Sequence, residues 1–188
     1  MKSFSTVFLS TFLLIGVIFT TNAVADSDSG YWFFSRGDQA GVAPVTNANY
    51  KEECGACHFA YQPGLLPTRS WQKLLSAKAL EDHFGENAEL DEDTLKELLD
   101  YAISQAADKS SHKRSRKMNA SIKTGETPLR ITEVSYFRKE HREIPKRLIA
   151  DNAKVKSLSN CDACHQKAAE GIFEEDTINI PGHGRWDD

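Results

Sequence analysis

Two copies of the pattern Cys-x-x-Cys-His, at Cys54-Gly55-Ala56-Cys57-His58 and Cys161-Asp162-Ala163-Cys164-His165, hold all four cysteines of the chain. On a helix, thiols at i and i+3 and an imidazole at i+4 share one face. Such a face can attach two haem vinyl groups through sulfur and one haem iron through nitrogen. The spacing therefore predicts two covalently attached c-type haems, held by Cys54, Cys57, Cys161 and Cys164, with His58 and His165 as iron ligands.

Two other uses of these cysteines fit less well. Structural zinc sites also use Cys-x-x-Cys pairs, but the pairs usually lie about 15–20 residues apart. Here the intervening chain is far longer, and zinc leaves the two adjacent histidines without a purpose. Four cysteines could equally form disulfides in any of three connectivities. A disulfide framework has no need of a histidine beside each pair.

The sixth position on each iron decides the chemistry. A methionine there raises the potential, a second histidine gives a low-potential electron carrier, and an open position binds small molecules. Past the first 25 residues the only methionine is Met118, in the basic run Arg116-Lys117-Met118-Asn119, a poor place for a ligand that packed scaffold must carry. Four histidines lie outside the motifs: His83, His112, His141 and His183. His112, in basic surroundings, reads as solvent-exposed. His83 follows the first motif with Leu80 and Phe84 nearby and is the expected distal ligand of the first haem. His141 precedes the second motif beside Tyr136, Phe137 and Ile144, and is the expected ligand of the second. His183, between glycines, is the rival for either position, and an exchange of partners between the two halves stays open.

The elements that must position these groups are mainly helical with much irregular chain between them. Leu95, Leu98, Leu99, Ala102, Ile103 and Ala106 repeat with the period of one apolar helix face. Asp91 is a suitable N-cap, and Glu92 and Asp93 suit the positive end of that helix. Pro63, Gly64 and Pro67 bar a long helix after the first motif. Residues 130–136 read as extended chain or a short strand. Pro145 limits any helix containing His141. A helix beginning near Ser159 or Asn160 and ending at Gly171 is expected to carry the second motif. From Lys109 to Lys123 the chain is strongly basic and reads as a solvated linker, while residues 81–100 hold nine acidic side chains against Lys96. Tyr61, Trp71, Phe84, Tyr136, Phe137 and Trp186 can pack on haem faces. Ordinary core packing explains each as well, and the sequence singles out none of them as an electron relay.

Lys2, an apolar run from Val7 to Phe19 and Ala23-Val24-Ala25 before Asp26 have the form of a cleaved secretory signal. The alternative, a retained anchor, asks for about 20 spanning residues. Removing 1–25 takes the formal charge from −4 to −5, which gives no support to a nucleic-acid role. The expected organisation is a signal at 1–25, a haem domain at 26–110, a basic linker at 111–127 and a second haem domain at 128–188. The expected location is the periplasm.

The stretch from Glu53 to Pro67 with Arg69-Ser70-Trp71, then Asp82-His83-Phe84-Gly85, residues 128–133, residues 138–143 and the second motif through Ile180-Pro181-Gly182 resemble the small exported dihaem cytochromes c of the DHC family. The resemblance implies an electron-transfer protein with two bis-histidine haems, an N-terminal half like a class I cytochrome c and a less regular C-terminal half. It also implies a membrane b-type cytochrome as donor and a small oxygen-binding cytochrome c as acceptor. The competing expectation is a haem enzyme or gas sensor with one open iron. Dihaem peroxidases are markedly longer, and no distal acid-base group stands out here.

Overall fold

The apolar face foreseen around Leu98 organises the molecule. In the computed structural model, which describes residues 40–186, it lies on helix α4, Glu92–Ser104, with Leu98 and Ala102 fully buried. Asp91 caps α4 by accepting from the Thr94 amide at 3.0 Å. Two earlier helices pack on α4: α1, Ala48–Gly55, and α2, Thr68–Leu74. α1 is capped by Asn47, whose side chain accepts from the Tyr50 amide. Between them the chain makes one 3-10 turn at Pro63–Leu65, where the prolines leave no room for a longer helix. Trp71 fixes this turn by donating Nε1–H to the Pro63 carbonyl at 2.8 Å, and Tyr50 donates its hydroxyl to the Tyr61 carbonyl at 2.8 Å.

A short helix α3, Ala77–Leu80, precedes the loop that carries His83. After α4 come α5, Lys113–Ala120, and α6, Ser135–His141, which pack on each other. A final helix α7, Cys161–Cys164, is followed by an antiparallel pair, β1 Asn179–Ile180 and β2 Gly184–Arg185. The described residues fall within one compact unit of mainly helical and irregular structure. None of its helices is long and apolar enough to cross a membrane. The signal expected at 1–25 lies outside the described residues.

Four local expectations change. The basic stretch read as a solvated linker contains α5, whose Ser115 and Met118 are buried while Arg116 and Lys117 face solvent; one face of the helix packs and the other carries the charge. Residues 131–133 form a 3-10 turn and not a strand, because the chain coils directly into α6. The helix of the second motif ends at Cys164, far short of Gly171. His165 is drawn into an extended conformation by an antiparallel bridge to Ile178, and the Asn160 side chain, bound to the Val155 carbonyl, does not cap. The first motif begins at the end of α1 and leaves the helix after Gly55, so in neither copy do all five residues lie on one helix.

Close backbone approaches tie the ends of the unit together. The amides of Gly41 and Val42 both donate to the Gly171 carbonyl, at 2.9 and 3.2 Å. Gly171 has φ +75, and a Cβ there would stand 2.0 Å from the Val42 carbonyl oxygen, so only glycine fits without moving backbone.

Candidate haem sites

The first motif lies at the surface. Cys57 and His58 are exposed and Cys54 is half-buried. His58 donates Nδ1–H to the Phe59 carbonyl at 2.8 Å, a tautomer that leaves the Nε2 lone pair outward for a metal. Facing it, 6.4 Å away between ring centroids and 22° from parallel, is His83. His83 opens a tight turn in which Phe84 (φ 59) and Gly85 (φ 106) are both left-handed, closed by His83 N–H to the Glu86 carbonyl at 2.7 Å. Asp82 steadies it by accepting from the Gly85 amide. Burial pushes the His83 pKa down, with His58 adding to the effect, which favours the neutral ligating form. Phe84, the one large apolar residue exposed among those described, lies under the Arg130 guanidinium at 3.9 Å.

The second motif lines a cavity of about 230 Å³ walled by Leu65, Met118, Ile131, Phe137 and Phe173. His165 faces His141 at 6.1 Å with the planes 71° apart. α6 positions His141: its Nδ1 donates to the Phe137 carbonyl one turn back, and the two rings stack at 4.0 Å. Burial, with the nearby His141 and Arg114, lowers the His165 pKa to about 4, so its ring is neutral. Its Nδ1 is buried and has no hydrogen-bond partner among the described residues, a cost tolerated where another interaction holds the ring.

Two imidazoles bonded to one metal ion from opposite sides, each at about 2 Å, have centroids about 6 Å apart. Both pairs meet that spacing. His112 sits instead at the start of α5 beside Ser110, and His183 is exposed at the turn joining β1 and β2, near Trp186. None of the four cysteines is joined to another in a disulfide. Burial pushes the Cys54 thiol up to about 11 and the Cys161 thiol up to about 12. Among the described residues no cluster of three or more His, Cys, Asp or Glu could hold a metal ion, so the zinc reading finds no site.

The sequence profile of the dihaem cytochrome c family, DHC, matches residues 50–173. The chain belongs to that family. Among solved structures it is similar to a dihaem cytochrome c from Shewanella baltica OS155, at 42% identity and a TM-score of 0.61, over 75% of this chain and 98% of that one. It is also similar to the dihaem cytochrome c of Rhodobacter sphaeroides, at 39% identity and a TM-score of 0.62, over 70% of this chain and all of that one. The crystal structure of DHC purified from Rhodobacter sphaeroides matches at 39% identity and a TM-score of 0.56, over 69% of this chain and 99% of that one. No curated protein matches the chain. Membership implies two covalently bound haem c groups, the number of Cys-x-x-Cys-His segments the chain carries. Cytochromes of this family are generally electron carriers.

Three residues of this dihaem cytochrome make contacts that the sequence does not reveal. Arg114, hidden in a basic run, reaches inward: its guanidinium pairs with Glu174 at 3.2 Å, donates to the Phe173 carbonyl and borders the second cavity, while its Nε is buried without a partner. Met118, expected in a solvated segment, is 2% exposed and forms part of the same wall. Tyr61 stacks on His58, with centroids 4.9 Å apart and planes 25° from parallel, and its hydroxyl donates to the Ser159 carbonyl at 2.7 Å. Burial raises its pKa to about 12, so the phenol keeps its proton. A basic residue among basic neighbours and a tyrosine three positions past a motif carry no signal of these particular contacts.

Proposed function

We propose that this protein carries single electrons on two bis-histidine haems, the first iron between His58 and His83 and the second between His165 and His141. The observation that supports it is the pair of facing imidazoles at 6.4 and 6.1 Å, the separation that one iron spans. When bound, the haems supply reversible one-electron chemistry. The chain saturates both irons, which denies them to oxygen, peroxide and carbon monoxide and removes the open coordination position an enzyme needs. His58 and His141 are held in one tautomer by the Phe59 and Phe137 carbonyls, so little ligand motion accompanies each change of charge. Leu65, Met118, Ile131, Phe137 and Phe173 give the second site an apolar wall.

In this reading a cleaved signal at 1–25 exports the chain to the periplasm, where haem is attached. Electrons arrive from a membrane b-type cytochrome and leave to a small oxygen-binding cytochrome c, with no substrate transformed. The test is the optical spectrum of the ferric and dithionite-reduced protein, followed by carbon monoxide. Low-spin bands from both haems, unmoved by carbon monoxide, are expected. A high-spin band or a fast shift in either haem would replace the carrier with a ligand-binding or peroxide-using protein.

A further inference from the structure

We propose that the exposed face of α5 is the docking surface for an acidic electron-transfer protein that exchanges electrons with the second haem, a role that rests on the carrier reading above. α5 forms part of the wall of the second cavity. Arg114 and Met118, one turn apart, line it from inside, and Ser115 is buried. The opposite face presents Lys113, Arg116, Lys117 and Ala120 to solvent, and Lys109 is exposed just ahead of the helix. A protein seated on that face is separated from the second cavity by one helix diameter, about 10 Å.

Helix stability does not account for these charges. α4 begins with a capping Asp91 followed by Glu92 and Asp93, whereas α5 begins with Lys113 and Arg114, has no acidic residue in its first turn and takes no side-chain cap from His112. Cations at that end oppose the helix dipole. Internal pairing does not account for them either. Among the described residues no carboxylate forms an ion pair with Lys109, Lys113, Arg116 or Lys117, and Lys117 lies over the Tyr136 ring at 5.3 Å. Like charges gathered on one face repel one another, and the carboxylates of a partner relieve that repulsion.

The chemistry favours a protein over a lipid surface. A helix that lies in a lipid interface inserts large apolar side chains beside its cations, and the one large apolar residue of α5, Met118, faces inward. The nine carboxylates of residues 81–100 lie on α4 and the chain before it. They repel an acidic partner there and so favour its approach by way of α5. In the docked complex one electron passes between the partner's redox centre and the second iron, ferric becoming ferrous or the reverse, with no bond made and no proton moved.

The test uses flavodoxin as an acidic one-electron donor, its anionic hydroquinone becoming the neutral semiquinone. Reduction of the ferric holoprotein is followed by stopped flow at low and high salt. The parent should be reduced about tenfold more slowly at high salt, where screening removes the attraction. The triple variant Lys113→Glu, Arg116→Glu, Lys117→Glu should be about tenfold slower than the parent at low salt and should not slow further as salt rises, with both haems still low-spin. Lys51→Glu with Lys73→Glu, on α1 and α2, should stay within about twofold of the parent. Lys113→Glu alone suits the N-terminal end of α5 and carries the same test, with a smaller loss, if the triple variant fails to fold. A parent rate independent of salt, an undiminished rate in the α5 variants, or an equal loss in the α1 and α2 pair would overturn the docking face. Binding of the parent to phosphatidylglycerol vesicles with flavodoxin rates unchanged by the α5 substitutions would give the face to lipid instead. Carbon monoxide binding by the reduced parent would strike at the carrier reading and not at the docking face.

Discussion

The imidazole planes of His141 and His165 cross at 71°. Those of His58 and His83 lie within 22° of parallel, so the two sites, alike in donor set, differ in how their rings meet an iron. Each imidazole donates π density perpendicular to its plane. Near-parallel planes act on one iron d orbital and split it from its neighbour, whereas crossed planes act on both and leave them close in energy. The ferric protein should therefore give two distinct low-spin electron paramagnetic resonance signals. The second haem is expected to have the larger maximum g value and the first an ordinary rhombic spectrum. Two identical rhombic spectra would contradict the crossed geometry.

Removing one distal imidazole should open one iron and leave the other intact. His83→Ala and His141→Ala are each expected to turn a single haem high-spin and admit carbon monoxide on reduction. The opened first site, next to exposed Cys57 and His58, should bind it faster than the second, enclosed by Phe137 and Met118. If both variants stay fully low-spin, His83 and His141 are not the ligands.

Arg114 places a positive charge at the edge of the second cavity, largely shielded from solvent and paired there with Glu174. A cation there favours the reduced haem. Arg114→Gln should lower the potential of the second haem while leaving the first nearly unchanged, as read by potentiometric titration. Because the Glu174 carboxylate then loses its partner, stability should also fall by about 1–3 kcal/mol, visible as a lower melting temperature.

Gly171 and Gly182 share a left-handed backbone, at φ +75 and +78, but only Gly171 is pressed against other backbone. Gly182→Ala should cost about 1 kcal/mol, the strain of the conformation alone. Gly171→Ala adds a collision with the Val42 carbonyl and should cost about 3–5 kcal/mol. Thermal unfolding of the two variants side by side isolates the close approach. Equal losses would mean that the strap between Gly41, Val42 and Gly171 tolerates movement.

What could be read in advance follows from where the information lies along the chain. The Cys-x-x-Cys-His pattern carries its chemistry in five adjacent residues, and α4 carries its fold in a local repeat with its own cap, Asp91; both are legible from neighbours in sequence. The short course of α7 is not, since it depends on the bridge between His165 and Ile178 further along the chain. The inward turn of Arg114 and Met118 depends on which face of α5 meets α6, a choice that a run of basic residues conceals. The Tyr61 hydroxyl finds its acceptor only when Ser159 arrives, 98 positions later.

Those long separations bear on how the chain finds its shape. Gln62 bonds Ala168 across 106 positions, so the first motif's flank is completed by residues that follow the second. Closing such loops costs entropy before any contact repays it, which slows folding relative to helices that form from local contacts. The two halves are thus expected to melt in one transition and to fail as separate fragments, each lacking long-range hydrogen bonds such as Gln62 to Ala168 and Tyr61 to Ser159, a result that calorimetry of the whole chain and of the two fragments checks. On that expectation, a cytochrome that looks like two modules in tandem folds as one unit.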